Sequence, residues 1–288
     1  MHWFWLSLTT AATQAVKDTF LKAAMGRTDP TLAMFLYSAG AAMFLWLFAA
    51  PTAEVVLAPS FWPLLALGGA LGGLTYWLYG LALSRGDLSL TLPMLAFTPL
   101  FLLITSPLTL GEFPRPGGLA GIALVVVGAY VLNLRERRHG LLGPVRALFT
   151  NAGSRLMLAV TVVWSIGANI DKLGLQASSP ALWGASVYTA TALGLVPFLG
   201  RTLKRSLAAL PGFPWAILTA GCLEAIGLFC QMHALPLTQV SYVIAVKRLS
   251  IIFGVLLGAA VFREPDLAHR LPGAAVMVVG VFFIAVFG

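Results

Sequence analysis

The sequence predicts an all-α membrane protein with ten transmembrane helices, arranged as two inverted five-helix repeats. Of the 288 residues, 59% are apolar and only 10% are charged, against about 25% charged in an ordinary soluble domain. The apolar residues fall into ten segments, each near the length of about 20 residues that crosses a bilayer as a helix. The same residues then recur at a constant spacing in the two halves of the chain.

The predicted helices are joined mostly by turns of a few residues, which makes sequence neighbours antiparallel neighbours in space. They span residues 2–25, 32–51, 61–83, 88–111, 116–134, 154–177, 181–200, 214–235, 238–262 and 270–287. One longer basic connection, residues 135–153, separates a first repeat at 1–134 from a second at 154–288.

Recurring residues indicate an internal duplication. The matching pairs are Glu112 and Glu264, Gly121 and Gly273, Gly128 and Gly280, each 152 residues apart, and Lys22 and Lys172, 150 residues apart. Because five helices are an odd number, the second repeat must enter the membrane from the opposite face. Inverted repeats of this kind are typical of secondary transporters.

Helices three and four carry residues that favour close packing and bending. Gly68, Gly69 and Gly72 permit close helix contact in the third helix. Pro93 and Pro99 fall inside the fourth helix, where each removes a backbone hydrogen bond. We therefore expect either static close packing or bending in this pair.

The end of each repeat carries a family resemblance. The segments TLGEFPRPGGLAGIALVVVGAYVL and VFREPDLAHRLPGAAVMVVGVFFIAV both place a glutamate before a glycine-rich last helix. They resemble the end of the EamA domain, and the whole chain resembles the drug/metabolite transporter superfamily as two EamA-like units. The resemblance implies solute transport by alternating access, without a cofactor, and the ATP-binding pattern GxxxxGK[ST] is absent from the chain.

Two rules give opposite orientations. Nearly all loop Lys and Arg residues fall on one face, while the other face has only Arg115, with Glu54 and Glu112. The positive-inside rule then places both termini outside the cytoplasm. Members of the superfamily are usually drawn with both termini inside, so both orientations stay open.

Lys247 and Arg248 lie side by side near the middle of the predicted ninth helix. A charge at that depth is costly and normally faces the interior of the bundle. Arg offers a planar fork for phosphate or carboxylate, and Lys adds a mobile point charge. The pair is similar to the ninth-helix Lys-Arg pair with which sugar-phosphate/phosphate translocators hold their substrate. The alternative is that these cations pair with acidic groups and join helices.

The alignment of the two repeats favours the interpretation that Lys247 and Arg248 bind substrate. Its counterparts 152 residues earlier, Leu95 and Ala96, are neutral. The duplicated architecture therefore does not itself require the two charges.

Six further charges lie within predicted helices: Lys17, Asp18, Lys22, Asp171, Lys172 and Glu224. Glu224, at a depth comparable to Lys247, is expected either to neutralise one of the two cations or to couple transport to protons. Asp18 and Lys22 are four residues apart and can pair on one helix face. The gating or ion-coupling candidates are Asp18, Lys22, Asp171 and Glu224, with snorkelling to the interface as the alternative for the lysines.

Uncharged polar residues complete the predicted substrate site, together with Lys172. They are Tyr76, Tyr79, Trp164, Asn169 and Tyr242. Five cations against three anions within the helices favour a substrate with a charge of about −1 to −2. No Cys or His spacing predicts a metal site, and no set of nucleophile, base and acid predicts an enzyme.

These observations predict a secondary transporter or exchanger of a small organic anion, phosphorylated or carboxylated. Its setting would be a multi-pass position in a bacterial inner membrane, as a monomer or homodimer without a nucleic-acid partner. One alternative is a proton-coupled exporter of amino acids or related zwitterionic or cationic metabolites. Another is a flippase for lipid-phosphate head groups.

Overall fold

The computed structural model describes residues 1–25, 28–49, 57–85, 92–133, 152–200, 208, 214–262 and 267–288. In chain order the helices are α1 (His2–Met25), α2 (Pro30–Ala49), α3 (Phe61–Arg85), α4 (Thr98–Leu110), α5 (Pro116–Asn133), α6 (Ala152–Gln176), α7 (Pro180–Leu199), α8 (Trp215–Ala234), α9 (Val240–Lys247), α10 (Ser250–Phe262) and α11 (Leu267–Phe287). A 3₁₀ segment at Leu92–Phe97 joins α4 to form the fourth span. Helices α9 and α10 form the ninth span, and α11 is the tenth. The predicted all-α fold with ten spans is confirmed. The predicted connection at 135–153 lies almost wholly outside the described residues.

Length and exposure fit a lipid environment. Five helices are long and apolar enough to cross a membrane: Pro30–Ala49, Phe61–Ala82, Ala152–Gln176, Pro180–Leu199 and Trp215–Leu237. Shorter apolar helices are Met94–Leu110, Pro116–Val131 and Leu271–Phe287. Leu108 and Leu193 are 81% and 65% exposed on the outside of the bundle, whereas Lys17 and Glu224 are buried inside it. Apolar groups outside and charges inside are what hydrocarbon solvent requires.

The spans pack with a two-fold pattern. The first span packs on the eighth, and the sixth packs on the third in the same way. The second span contacts the eighth, and the seventh contacts the third. The fifth and tenth spans pack on each other, as do the second and seventh. Exchanging each span for the one five places away in the chain therefore reproduces these contacts, as expected for inverted repeats.

Both repeats interrupt their fourth helix at matching positions. Thr98 begins α4 and Ser250 begins α10, and these residues are 152 apart, as are the helix ends Leu110 and Phe262. In the first repeat a 3₁₀ segment that contains Pro93 precedes the break, and Pro99 lies in the first turn of α4. In the second repeat the break falls at Arg248 and Leu249. Interrupted spans near mid-membrane are a common way for transporters to build a binding site.

Glycines permit a close helix crossing between α5 and α11. A side-chain carbon placed on Gly121 would lie 2.6 Å from the Gly280 carbonyl oxygen. One placed on Gly128 would lie 2.7 Å from the Gly273 carbonyl oxygen. Gly121 corresponds to Gly273 in the second repeat, and Gly128 corresponds to Gly280. Each contact therefore joins a glycine of one repeat to a glycine of the other, and the two contacts are related by the repeat symmetry.

The crossing predicts a clear effect of Gly121→Ala. The added methyl group meets backbone atoms that cannot rotate away, so we expect the free energy of unfolding to fall by about 1–3 kcal/mol. Gly254→Ala is the matched control, because a side-chain carbon there meets nothing within 4 Å. Reversible unfolding in detergent measures both variants. Equal stability of the two would contradict the packing described.

Candidate functional site

A central cavity lies between the two repeats, at the level of the interrupted fourth and ninth spans. Its volume is about 120 Å³. Pockets for drug-sized ligands have roughly 300–1,000 Å³, so the cavity in this conformation suits a smaller solute. Its polar lining side chains are Gln14, Lys17, Thr75, Tyr76, Thr98, Trp164, Asp171, Tyr188, Thr191, Glu224, Gln231, Lys247 and Arg248. Most of the candidate substrate residues therefore border one space.

Arg248 lines the cavity at the break in the ninth span. The backbone N–H of Leu249 donates to the carbonyl of Val246 across 2.9 Å, a tight 3₁₀-type turn that separates α9 from α10. The Arg248 side chain is 5% exposed. One terminal nitrogen donates to the Thr98 hydroxyl oxygen at 2.7 Å. Its Nε is buried without a hydrogen-bond partner among the described residues, so the guanidinium of this cavity-lining residue keeps an unused donor.

Thr98 is suited to hold this guanidinium. Its hydroxyl donates to the carbonyl oxygen of Leu95 at 2.9 Å. The hydroxyl oxygen is then free to accept from Arg248. The contact joins the interrupted span of the first repeat to the interrupted span of the second. Thr98 was not among the residues predicted from the sequence, although its position one residue before Pro99 was a usable signal.

Lys247 lines the same cavity from the last turn of α9. Its Nζ donates to the side-chain oxygen of Gln231 in α8 at 2.7 Å. That partner is neutral, so the bond positions the ammonium without cancelling its charge. Adjacent residues of a helix point in different directions, yet Lys247 and Arg248 both reach one space, as their position had predicted.

A different cation neutralises Glu224. The nearest cation is Lys17 of α1, whose Nζ lies 2.7 Å from the Glu224 carboxylate. The Tyr188 hydroxyl donates to the other carboxylate oxygen, and a 2.6 Å hydrogen bond joins it to the Tyr76 hydroxyl. Glu224 was expected either to neutralise one of the cations Lys247 and Arg248 or to couple transport to protons. Its ion pair with Lys17 corrects the first alternative, and the second stays a prediction. The first and eighth spans pack side by side, which brings Lys17 to Glu224.

Asp171 is the second carboxylate of the cavity lining. The indole N–H of Trp183 donates to it at 3.0 Å. This neutral donor fixes the carboxylate but leaves its negative charge in the cavity. Trp164 lies along the same helix, α6, and also borders the space.

Four predicted substrate residues lie outside the cavity lining. Tyr79 packs its ring on Trp164, with ring centres 5.6 Å apart. Asn169 accepts a hydrogen bond from the Ser106 hydroxyl at 2.8 Å. Lys172 pairs with Glu112, and the Tyr242 hydroxyl accepts from the backbone N–H of Arg115 at 3.1 Å. In this structure these side chains join spans, and their assignment to the substrate site stays a prediction.

The predicted pair of Asp18 and Lys22 stays a prediction, because the Lys22 side chain lies outside the described residues. Asp18 instead accepts from the Gln14 amide at 3.1 Å and lies 3.6 Å from Lys17 Nζ. It is one-third exposed. Gln14 and Lys17 both lie within about one turn of Asp18 in α1. Asp18 is therefore a partly exposed neighbour of the buried ion pair between Lys17 and Glu224.

Comparisons with known proteins agree with this architecture. Residues 1–134 match the profile of the EamA-like transporter family. No curated protein matches the chain. One solved crystal structure superposes with a TM-score of 0.73 at 16% sequence identity, covering 99% of this chain and 96% of that one. At that identity the likeness concerns the fold alone.

Proposed function

We propose that the chain is a secondary transporter of a small organic anion, because residues 1–134 match the EamA-like transporter family and the fold has the repeats of such a transporter. It is a multi-pass membrane protein, and the central cavity is its substrate site. The two repeats would move against each other to open the cavity to either face in turn. A phosphorylated or carboxylated metabolite fits the donors that the cavity offers.

The observation that carries this proposal is the unused donor of Arg248. A buried polar group without a partner costs about 1–3 kcal/mol, and more when it is charged. An anionic oxygen bound at Nε would remove that cost. Lys247 stands beside it with a neutral partner, so both cations remain available to a ligand. Glu224, for which pairing with one of these two cations was one of two predicted roles, is already neutralised by Lys17.

Charge in the cavity supports a singly charged anionic group. Three cations line it, Lys17, Lys247 and Arg248, and two carboxylates, Glu224 and Asp171. The difference is +1, one less than the count over all charges within the predicted helices. Lys172 is left out of the cavity count because it pairs with Glu112 outside the lining. Asp18 and Lys22 are also left out, and their opposite charges cancel in the comparison.

Purified protein in proteoliposomes tests the proposal. Labelled phosphates, carboxylates, neutral analogues and amino acids are presented one by one, and uptake is followed with and without the same solute inside. We expect uptake or exchange of at least one small anion and none of its neutral analogue. Transport of the neutral analogue at the same rate would overturn the assignment of an anionic substrate.

A zwitterionic metabolite is the second candidate, because the Asp171 carboxylate borders the same cavity as the two cations. Such a solute would place its ammonium group at Asp171 and its carboxylate at Arg248. The Asp171→Asn variant separates the two candidates.

For a simple anion, we expect Asp171→Asn to leave affinity unchanged or to tighten it, since a repelling charge is removed. For a zwitterion it should weaken affinity by about tenfold or more, the effect of losing one charged hydrogen bond. Substrate concentration at half-maximal uptake measures both. Ser165→Ala, a change in the same helix outside the cavity lining, serves as the control.

A further inference from the structure

A second polar cluster lies next to the central cavity. The fourth and sixth spans end there, and the ninth span begins there. Glu112 follows α4, and its carboxylate accepts from two sides. Lys172 of α6 makes an ion pair with one oxygen, and the backbone N–H of Val240 donates to the other at 3.0 Å. Lys172 also donates to the carbonyl oxygen of Thr238 at 2.6 Å. We call Glu112, Lys172, Thr238 and Val240 the clasp.

Local structure explains how Glu112 reaches this position. Gly111 ends α4 with a φ of +67°, in the left-handed region that favours glycine. Its N–H donates to the carbonyl of Pro107 at 3.2 Å, and the Glu112 N–H donates to that of Ser106 at 3.4 Å. The turn directs the glutamate towards the start of α9. There the carboxylate meets a free N–H and the positive end of the helix dipole.

The clasp joins the first repeat to the second. Glu112 belongs to the first repeat, while Lys172, Thr238 and Val240 belong to the second. Two neighbouring contacts cross the same boundary: the Gln239 amide donates to the Phe113 carbonyl at 3.2 Å, and the Arg115 N–H donates to the Tyr242 hydroxyl. A movement that separates the repeats at this face must break all of these bonds.

The clasp lies next to residues that line the cavity, although its own residues are outside the lining. Lys172 follows Asp171, and Val240 lies one helical turn before Ile244, and both neighbours line the cavity. The side chains of Lys172 and Glu112 are only 11% and 19% exposed, so the ion pair is screened little by water. From these positions we propose that the clasp is the gate that holds the cavity closed towards the face carrying residues 177–179 and 235–239.

This inference rests on the alternating access of the proposed function, but its test needs no substrate. Gly167→Cys is placed in a chain whose own Cys222 and Cys230 are replaced by Ala. Gly167 lines the cavity, and a side-chain carbon there meets nothing within 4 Å. A membrane-impermeant maleimide is then applied to right-side-out and to inverted vesicles. The labelling rate reports access to the cavity from each face separately.

Opening the clasp should raise labelling from its own face only. We expect Lys172→Met and Glu112→Gln each to increase that rate by about tenfold, as a closed state loses a partly buried ion pair. Lys172→Arg keeps the positive charge and can donate to both acceptors, the Glu112 carboxylate and the Thr238 carbonyl. Its labelling rate should therefore stay near that of the parent protein. Asp29→Asn is the matched control. Asp29 caps α2 at the opposite face by accepting from the N–H groups of Thr31 and Leu32 at 3.0 Å.

Folding of each variant is checked by its elution profile in detergent. If a charge variant fails to fold, Tyr242→Phe replaces it, because this change removes only the acceptor for Arg115 and should give a smaller rise at the same face. The proposal is overturned if the folded variants label at the rate of Asp29→Asn. It is also overturned if the increase occurs from the opposite face. Neither result would bear on whether the cavity takes an anion.

Discussion

Arg248→Met should lower transport efficiency for the anionic substrate by about 100-fold or more. Truncating one partner of a buried, charged hydrogen bond costs about 2–5 kcal/mol, and each 1.36 kcal/mol is a factor of ten. Arg248→Lys keeps the charge but loses the planar fork, so its efficiency should fall between parent and Met variant. Initial uptake rates in proteoliposomes, corrected for the amount of folded protein, measure the effect.

Two further variants make this prediction specific. Thr98→Val removes the acceptor that holds the guanidinium, so we expect a smaller loss, expressed mainly as weaker substrate binding. Arg155→Met alters an exposed arginine of α6 and should leave uptake unchanged. If Arg248→Met transported every anion at the rate of Arg155→Met, the cavity cations would have no role in substrate binding.

Breaking the ion pair of Lys17 and Glu224 should destabilise the protein more than any other single change to a charge pair described above. Both residues are buried, each 6% exposed, and removing one partner leaves an uncompensated charge at a cost of about 3–5 kcal/mol. Lys17→Met and Glu224→Gln should each show this loss in reversible unfolding. The double variant should lose less than either single variant, because no charge is left alone.

Asp18→Asn provides the comparison for this pair. Asp18 lies 3.6 Å from the same lysine and is one-third exposed, so its removal should cost about 1 kcal/mol or less. A loss for Glu224→Gln as small as that for Asp18→Asn would contradict the account of a buried pair. So would a double variant less stable than both single variants.

The architecture was predictable from the sequence because it depends on repeated patterns. Apolar length defined the ten spans, and the 152-residue spacing of the glycines defined the repeat. That spacing reappears as the crossing of Gly121 with Gly280. The break at Arg248 was not predictable in this way, because the surrounding residues include neither Pro nor Gly.

The partners of the charged residues were only partly predictable. Lys247 and Arg248 stood out because a cation in an apolar span is costly. Glu224 stood out for the same reason, but depth alone did not show which neighbouring helix it faces. Its partner Lys17 lies 207 residues away, and only the packing of α1 on α8 brings them together. Glu112 was visible only as a marker of the repeat.

A structure with a bound anion tests the central claim most directly. The solute from the uptake panel that most raises the unfolding temperature, as a ligand of the native state does, is added before structure determination. We predict its anionic oxygens at hydrogen-bond distance, about 2.7–3.2 Å, from Arg248 Nε and Lys247 Nζ in the central cavity. An anion bound elsewhere, with Arg248 Nε still unpartnered, would contradict this account.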